Sequence, residues 1–367
     1  MAKKAQKWFL VLFSVIVIAC LVLVSCAKPE TPAPATPSPD KPSSPAPTSE
    51  PIKLKMASGI MEHEIPSILH EHWMNLVEEK TNGQVEIERF YGGTLGGVLE
   101  MLELLRTGAV QLALVMPLFH PAELPLHGIL NQGGWSSMEM ASNGIGQLQW
   151  ENEETAALFE AEGKKQNIRF VQWPNIGASS IVSRTEATTM ADLKGKKSTR
   201  FGYVADKVYE EFDMIPVATT SAEMYESLSK GVIDCVFASL TGIVPRKLHE
   251  PAVSYIYVPV FWCGAALAIN HETWESLPPD VQAAMIEAEK ETREYNIQFV
   301  SEKEVEFVEV MRDAGLTITN ELPAAEMERM WRVWLDTFSG DWVDDQEQFG
   351  VKDQAKVIAD YFVELNK

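Results

Sequence analysis

The stretch Leu54–Phe90, LKMASGIMEHEIPSILHEHWMNLVEEKTNGQVEIERF, alternates between extended and helical patterns and decides the fold class. Leu54–Ala57 is typical of a short strand, and apolar residues then recur at helical spacing between Pro66 and Thr81. Asn82-Gly83 is a common helix stop, because both residues tolerate a left-handed backbone. Val85–Phe90 alternates apolar and polar residues, as a half-buried strand does. This order predicts a β-α-β unit.

The same alternation continues for another helix and strand. An amphipathic helix is predicted at Leu99–Thr107 and is closed by Gly108, and a buried strand follows at Val110–Met116. Strands that alternate with helices form a mostly parallel sheet covered by helices. The segment from residue 54 to residue 116 therefore predicts one α/β unit.

A second set of strands and helices begins at residue 168. Strands are predicted at Ile168–Gln172, Ser180–Ser183, Lys196–Phe201, Val232–Ala238, Tyr255–Phe261 and Ala265–Asn270. Helices are predicted at Val204–Phe212 and Ser221–Lys230, the second with Ser221 as its N-cap and Gly231 at its end. A long helix is predicted from Pro279 to about Ala314, which corresponds to about 50 Å at 1.5 Å per residue.

Two α/β units joined by several crossings predict a bilobed α/β fold with hinge strands. We assign residues 53–173 and 264–290 to lobe I. Residues 174–263 and 291–367, with the C-terminal helices, form the predicted lobe II. At about 50 Å the long helix is able to span both lobes.

The first 26 residues have the features of a secretory signal. A start with three lysines precedes an apolar run from residue 8 to residue 24. The run ends in Leu23-Val24-Ser25-Cys26, which resembles the lipobox of bacterial lipoproteins, whose cysteine is acylated and becomes the new N-terminus. The alternative is an uncleaved membrane anchor of about 17 residues, at the short limit for spanning a bilayer. We expect a protein lipid-anchored through Cys26 at the outer face of the cell membrane or in the periplasm.

Residues 27–52 are rich in Pro, Ala, Thr and Ser and predict an extended tether. Without the signal, whose three lysines are its only charged residues, the chain keeps 28 basic and 52 acidic residues and a net charge near −24. Such a surface repels nucleic acid and anionic lipid headgroups, so we expect no nucleic-acid partner. Beyond the signal and the lipobox, Cys235 and Cys263 remain. We expect two buried thiols, although a disulfide is possible outside the cytoplasm.

Several blocks together resemble the solute-binding proteins of tripartite ATP-independent periplasmic (TRAP) transporters, the DctP type. In the first half the blocks are Thr81–Ile87, Gly92–Gly97 and Glu100–Gly108, and in the second half they are Asp192–Gly195, Glu223–Asp234 and Asn270–Pro278. They occur in family order and spacing over nearly all of the body.

The resemblance implies a type II-like periplasmic-binding-protein fold without catalysis. We expect no cofactor, and the sequence identifies no metal ligands. The resemblance also implies that a small-molecule ligand is closed between the lobes by hinge motion. We expect a small organic acid, or a less acidic and partly apolar compound. The ligand is then delivered to the membrane subunits of a TRAP permease.

The chain departs from the family where most members carry an arginine that grips the ligand carboxylate. That arginine follows the Asp-Leu-Lys-Gly block in a stretch of the form Lys-Ile-Arg, and here the stretch is Lys196–Arg200. Thr199 stands at the arginine position and Arg200 one residue later. One residue along a strand changes the face, so either a bulge returns Arg200 to the cleft or Thr199 faces the ligand. Ser179 and Ala238 stand where many relatives have an arginine and an asparagine.

The remaining candidates for ligand contact are mostly aromatic or hydroxylic. The full set of candidate residues is Trp173, Asn175, Ser179, Thr199, Arg200, Tyr203, Tyr225, Phe237, Ser239 and Trp262. Core packing is the alternative for each aromatic residue. As a set they favour a ligand that is less acidic, or more apolar, than a C4-dicarboxylate.

Solute delivery to a TRAP permease has three alternatives. An enzyme is disfavoured, because His63-Glu64 lacks the second histidine of a zinc motif and no Gly-x-Ser-x-Gly elbow is present. A ligand-sensing lipoprotein that presents its bound state to a membrane receptor remains an alternative, as does the binding protein of an ATP-driven importer.

Overall fold

The computed structural model describes residues 50–131, 134–135, 137–200, 203–220 and 223–366, with the backbone alone for residues 203, 204, 260 and 261. The predicted signal and nearly all of the tether lie outside these residues. The strands are β1 (Ile52–Ala57), β2 (Val85–Phe90), β3 (Leu112–Val115), β4 (Ile168–Gln172), β5 (Asn175–Ser183), β6 (Lys197–Thr199), β7 (Ile215–Val217), β8 (Cys235–Ser239), β9 (Ser254–Gly264), β10 (Ala266–Asn270) and β11 (Thr317–Thr319).

The helices cover both sheets and fill the C-terminal part of the chain. The α-helices are α1 (Ile65–Lys80), α2 (Met101–Arg106), α3 (Met138–Gly146), α4 (Glu153–Lys165), α5 (Tyr203–Glu211), α6 (Met224–Lys230), α7 (Leu240–Ile243), α8 (His271–Ser276), α9 (Pro279–Asp313), α10 (Ala324–Asp336), α11 (Val343–Asp345) and α12 (Lys352–Leu365). Two π-helical segments, Gln147–Glu151 and Thr337–Trp342, follow α3 and α10 directly.

The strands form two sheets. The first has the order β2-β1-β3-β10-β4, with β1 parallel to β2 and β3 and with β10 antiparallel to its neighbours. The second has the order β11-β9-β5-β8-β6-β7. The β-α-β-α-β order of the first 116 residues thus produces the parallel part of the first sheet, as its pattern predicts.

The chain passes between the sheets at two short segments. Trp173-Pro174 leads from β4 of the first sheet to β5 of the second, and Ala265 leads from β9 back to β10 of the first. The α9 helix is a third connection, because it packs against α1 beside the first sheet and against β5 and α7 of the second. These connections lie at the predicted lobe boundaries; that the two parts move as separate lobes stays a prediction.

Most predicted elements differ from the structure by a few residues at their ends. The helix expected from Ser221 begins at Met224, with Glu223 at the N-cap position and no side-chain cap; Ser221 lies outside the described residues. Gly231 ends that helix in the left-handed conformation, φ 74°, as expected. The strand predicted from Val232 begins at Cys235, because residues 231–234 form the turn out of the helix.

The helices between residues 138 and 165 were not predicted. Helix α3 contains two glycines, which lower helix propensity by about 1 kcal/mol each. Packing requires them: a Cβ on Gly144 would lie 2.2 Å from the Trp135 ring, and one on Gly146 would lie 1.9 Å from Nη1 of Arg293. The two glycines that lower the helix propensity of α3 therefore also allow its close contact with Trp135 and Arg293.

Candidate functional site

A cavity of about 160 Å³ lies between the two halves of the fold. One wall is the start of α1, which follows β1 of the first sheet, and the other is the loop and helix after β8 of the second. The lining residues are His63, Glu64, Ile65, Pro66, Ile176, Ser239, Thr241, Gly242, Pro245 and Arg246. The cavity is therefore open to the carboxyl ends of strands from both sheets, where α/β folds place their ligands.

Glu64 and Arg246 face each other across this cavity. Nη2 of Arg246 lies 3.4 Å from Oε2 of Glu64. The Arg246 side chain is 38% exposed and the Glu64 side chain is 25% exposed. Glu64 stands at the N-cap position of α1 but does not cap the helix with its side chain; Oε1 accepts instead from the Met61 N–H at 3.2 Å. The pair joins an acidic group of the first half to a basic group of the second.

A larger cavity of about 470 Å³ lies elsewhere, beside β4, α4, α8 and α9. Its arginines are already neutralised: Arg169 pairs with Glu160, and Arg293 pairs with Glu151 and Glu289. The described residues that line it come from the first sheet and the helices beside it. We take the smaller cavity as the candidate site, because segments that follow strands of both sheets line it.

Ser239 is the one residue of the predicted set among the described residues that line the interlobe cavity. It ends β8, and its hydroxyl oxygen would lie 3.3 Å from a Cβ on Gly242, so it faces the Arg246 loop. Ile176, which also lines the cavity, follows Asn175 of the predicted set; its carbonyl accepts a hydrogen bond from the Thr241 hydroxyl at 2.5 Å.

Trp173, Asn175 and Ser179 lie buried at the passage from β4 to β5 and within β5, and Ile176, which lines the cavity, follows Asn175 directly. Nε1 of Trp173 and Nδ2 of Asn175 have no protein hydrogen-bond partner, and neither has Oγ of Ser179, whose polar neighbour is the Cys263 thiol. Burial raises the pKa of that thiol to about 12, with Ser179 opposing the shift. Buried polar atoms without partners are rare in proteins and are often satisfied by a ligand or by water.

Two further predicted residues have structural roles. Trp262 is buried and its Nε1 donates to the carbonyl groups of Trp135, at 2.6 Å, and Pro259, at 3.1 Å. Phe237 is fully buried and packs edge-on against Tyr209. For both, core packing is the arrangement that the structure shows.

The structure places the side chains of Thr199 and Arg200 away from the cavity. The Thr199 hydroxyl is buried and is used within the sheet, since it accepts from the Phe237 N–H at 3.0 Å and donates to the Phe237 carbonyl at 3.2 Å. Its strand pairs with β7 in regular register, without the bulge that would turn Arg200 inward. Arg200 is 61% exposed and pairs with Asp206 at 2.6 Å. Neither side chain lines the cavity.

Tyr225 also lies away from the cavity, because its hydroxyl donates to Glu250 at 2.9 Å on the exposed side of α6. The Tyr203 side chain lies outside the described residues. Cys235 is buried and Cys263 is half-buried, and both are free thiols.

Sequence reasoning did not select the residues that line the cavity most directly. The sequence pattern marks His63 and Glu64 only as an incomplete zinc motif, and no pattern marks Arg246. A usable signal is present: His63 follows a predicted strand by six residues and Arg246 follows one by eight, at positions where ligand-binding loops occur. Among the described residues, no group of three or more His, Cys, Asp or Glu side chains could hold a metal ion.

Comparison with known proteins gives the family. Residues 62–341 match the profile of the bacterial extracellular solute-binding proteins, family 7. The C4-dicarboxylate-binding periplasmic protein DctP of Rhodobacter capsulatus is 25% identical over 296 residues, which cover 76% of this chain and 83% of that protein.

Solved structures show the same fold. A TRAP periplasmic solute-binding protein of Desulfovibrio salexigens superposes with a TM-score of 0.74 and 22% identity, covering 86% of this chain and 96% of its own. A TRAP solute-binding protein from an unidentified marine microbe, specific for pyroglutamate, has a TM-score of 0.69 and 20% identity, with 86% and 100% of the two chains covered. The predicted bilobed α/β fold is thereby confirmed. The chain belongs to the bacterial extracellular solute-binding proteins of family 7, the DctP-type binding proteins of TRAP transporters.

Proposed function

We propose that this protein captures a small organic monocarboxylate between its two sheets and delivers it to a TRAP permease. The observation that carries the proposal is the interlobe cavity with its facing pair, Glu64 and Arg246. Arg246 is the one permanent cation among the described residues of the cavity and suits one carboxylate, and a second carboxylate of the ligand would face Glu64 without a counter-charge from those residues.

The polar atoms at the hinge support a ligand with further hydrogen-bonding groups. Trp173 and Asn175 offer N–H donors without protein partners close to the passage between the sheets. The apolar surfaces of Ile65, Pro66, Ile176 and Pro245 line the rest of the cavity. A small acid with an apolar or ring portion matches this combination of surfaces. The family consists of transport proteins rather than enzymes, and the pyroglutamate-specific structure belongs to a protein whose named ligand is a monocarboxylate.

We also propose that the mature protein is held at the membrane by lipid on Cys26. The support is the sequence Leu23–Cys26 after an apolar run, followed by the proline-rich segment up to residue 52. No helix in the part of the chain that the structure describes is both long and apolar enough to cross a bilayer. A tether would let the folded body reach a permease in the same membrane.

Ligand binding can be tested with the purified mature protein in a thermal-shift screen, followed by calorimetry. The screen contains monocarboxylates such as pyroglutamate, lactate and mandelate, their uncharged amides, dicarboxylates and polyols. A compound that binds the folded form alone should stabilise it by about 2.7 kcal/mol at a hundredfold excess over its dissociation constant. Stabilisation by polyols alone, or by no compound in the screen, would contradict the proposed class of ligand.

A further inference from the structure

Arg246 differs from the other cations near the interlobe cavity. Among the described residues that line it, Arg246 alone carries a permanent positive charge. Arg200, which the sequence predicts as a possible ligand contact, does not line the cavity and pairs with Asp206 instead. A carboxylate that enters the cavity therefore meets a single guanidinium.

The guanidinium of Arg246 is held loosely. Glu64 is its ion-pair partner among the described residues, and the contact is a single one at 3.4 Å. A guanidinium has five N–H donors in a planar fork, so most of them are left for another acceptor. The fork lies against the backbone of Gly242, where a Cβ would be 3.1 Å from Nη1. The absence of a side chain at Gly242 thus leaves room for the guanidinium at the cavity wall.

We propose that Arg246 binds the carboxylate of the solute, and that Glu64 serves as its counter-ion when the cavity is empty. This inference rests on the proposed function, since it names the residue that gives the cavity its preference for an acid. A planar fork binds a carboxylate through two parallel charge-assisted hydrogen bonds, which a single long contact to Glu64 does not provide.

Glu64 limits the solute further. Its Oε1 accepts a hydrogen bond from the Met61 N–H at 3.2 Å, which favours an orientation that keeps Oε2 beside Arg246. Two carboxylates next to one guanidinium repel each other, and a hydrogen-bond donor between them reduces that repulsion. A solute that binds both residues places its carboxylate against Arg246. An O–H or N–H group next to that carboxylate then donates a hydrogen bond to Glu64. A hydroxy acid, or a ring acid with an N–H next to the carboxylate, has this arrangement.

Calorimetry on the full mature protein tests the proposal with pyroglutamate, lactate and mandelate, each beside its primary amide. The variants are Arg246→Ala and Arg246→Lys, with Arg200→Ala as the matched control, because that arginine is exposed and lies outside the cavity. We expect the acids to bind and the amides to bind about 100-fold more weakly. Arg246→Ala should lose about 100-fold in affinity for the acid, Arg246→Lys should recover part of it, and Arg200→Ala should bind as the wild type does.

Each result decides between the two proposals. An acid that binds the wild type and Arg246→Ala equally well overturns the role of Arg246 and leaves the proposed function standing. Binding of the amides in preference to the acids overturns both the clamp and the acidic class of solute. Failure of every acid and amide to bind the folded wild type overturns the proposed monocarboxylate function, and the clamp with it. Arg246→Lys keeps the positive charge and a similar aliphatic chain. An unfolding curve like that of the wild type would show that any loss of affinity in this variant does not come from loss of folding.

Discussion

Asn296 of the long α9 helix holds Asn175 of β5 by two hydrogen bonds to its backbone. Oδ1 of Asn296 accepts from the Asn175 N–H at 2.9 Å, and Nδ2 donates to the Asn175 carbonyl at 2.7 Å. Both residues are buried. One side chain thus satisfies the backbone of the strand at the point where the chain has just left the first sheet.

Replacing this side chain should destabilise the fold. Asn296→Ala leaves a buried N–H and a buried carbonyl without partners, and we expect a loss of about 2–4 kcal/mol in the free energy of unfolding. Urea denaturation measures it. Gln298→Ala is the control, since Gln298 is exposed on the same helix and bonds only to Glu302 among the described residues. Equal stability of the two variants would show that the Asn296 contacts add little.

Glu304, two turns further along α9, should make stability depend on pH. Burial raises the pKa of this carboxyl to about 7, although its Oε1 accepts from the Ala178 N–H at 3.0 Å. The hydroxyls of Tyr255 and Tyr257 are the titratable groups that face it from β9. Because the folded-state pKa is raised, the folded protein holds the proton more tightly than the unfolded chain between pH 4.5 and 7. This contribution is complete below pH 4.5 and is lost as the pH rises to about 7.

Glu304→Gln keeps an acceptor for Ala178 and removes the titration. Its stability relative to the wild type should therefore rise between pH 4.5 and pH 8, by an amount on the order of 1–3 kcal/mol. The free energy of unfolding of both proteins is measured by urea denaturation across this pH range. The difference between the two values removes the contribution of the titratable groups that both proteins share. A difference that stays constant with pH would show that Glu304 titrates in the folded protein as it does in the unfolded chain.

Dicarboxylates should bind weakly. With Thr199 buried in the sheet and Arg200 paired to Asp206, the second carboxylate of succinate, malate or fumarate has no cation in the described part of the cavity. An unpaired charge in a partly closed site costs about 3–5 kcal/mol, or two to three orders of magnitude in affinity. Calorimetry with succinate and with butyrate, a monocarboxylate of equal chain length, measures the difference. Sub-micromolar succinate binding that Arg200→Ala abolishes would mean that β6 is bulged in solution.

Binding should close the two halves. The lobes predicted at residues 53–173 with 264–290, and at 174–263 with 291–367, are joined by two short passages and α9, so a rigid rotation needs few backbone changes. Small-angle scattering with a solute identified by calorimetry should show a smaller radius of gyration than the empty protein does. An unchanged radius at saturation would favour a preformed site without hinge motion.

Cys26 should carry lipid in cells. Metabolic labelling with a tagged palmitate should mark the wild type, while Cys26→Ala should remain unlabelled. Cys263→Ala is a control for labelling of thiols in the folded body, because Cys263 is half-buried there. Equal labelling of wild type and Cys26→Ala would place the anchor elsewhere.

The sequence alone determined the fold class and the order of the strands and helices up to residue 116. Periodic apolar residues and glycine stops act locally, so the strands at Val85–Phe90 and Ile168–Gln172 and the helix from Pro279 could be located without a structure. The family blocks are of the same local kind. The glycine-containing α3 could not be located in this way, since contacts with Trp135 and Arg293 stabilise it against its own propensity.

Tertiary structure decided which polar side chains face the solute. Thr199 occupies the position that the family pattern assigns to a clamp, yet its hydroxyl bonds to the Phe237 backbone, 38 residues away. Arg246 reaches Glu64 across 182 residues of sequence. Periodicity shows which face of a strand or helix is buried, but the partner of a buried polar group depends on how distant segments pack. Charge and residue type could therefore be read from the chain, while the pairing of Arg246 with Glu64 exists only in the folded molecule.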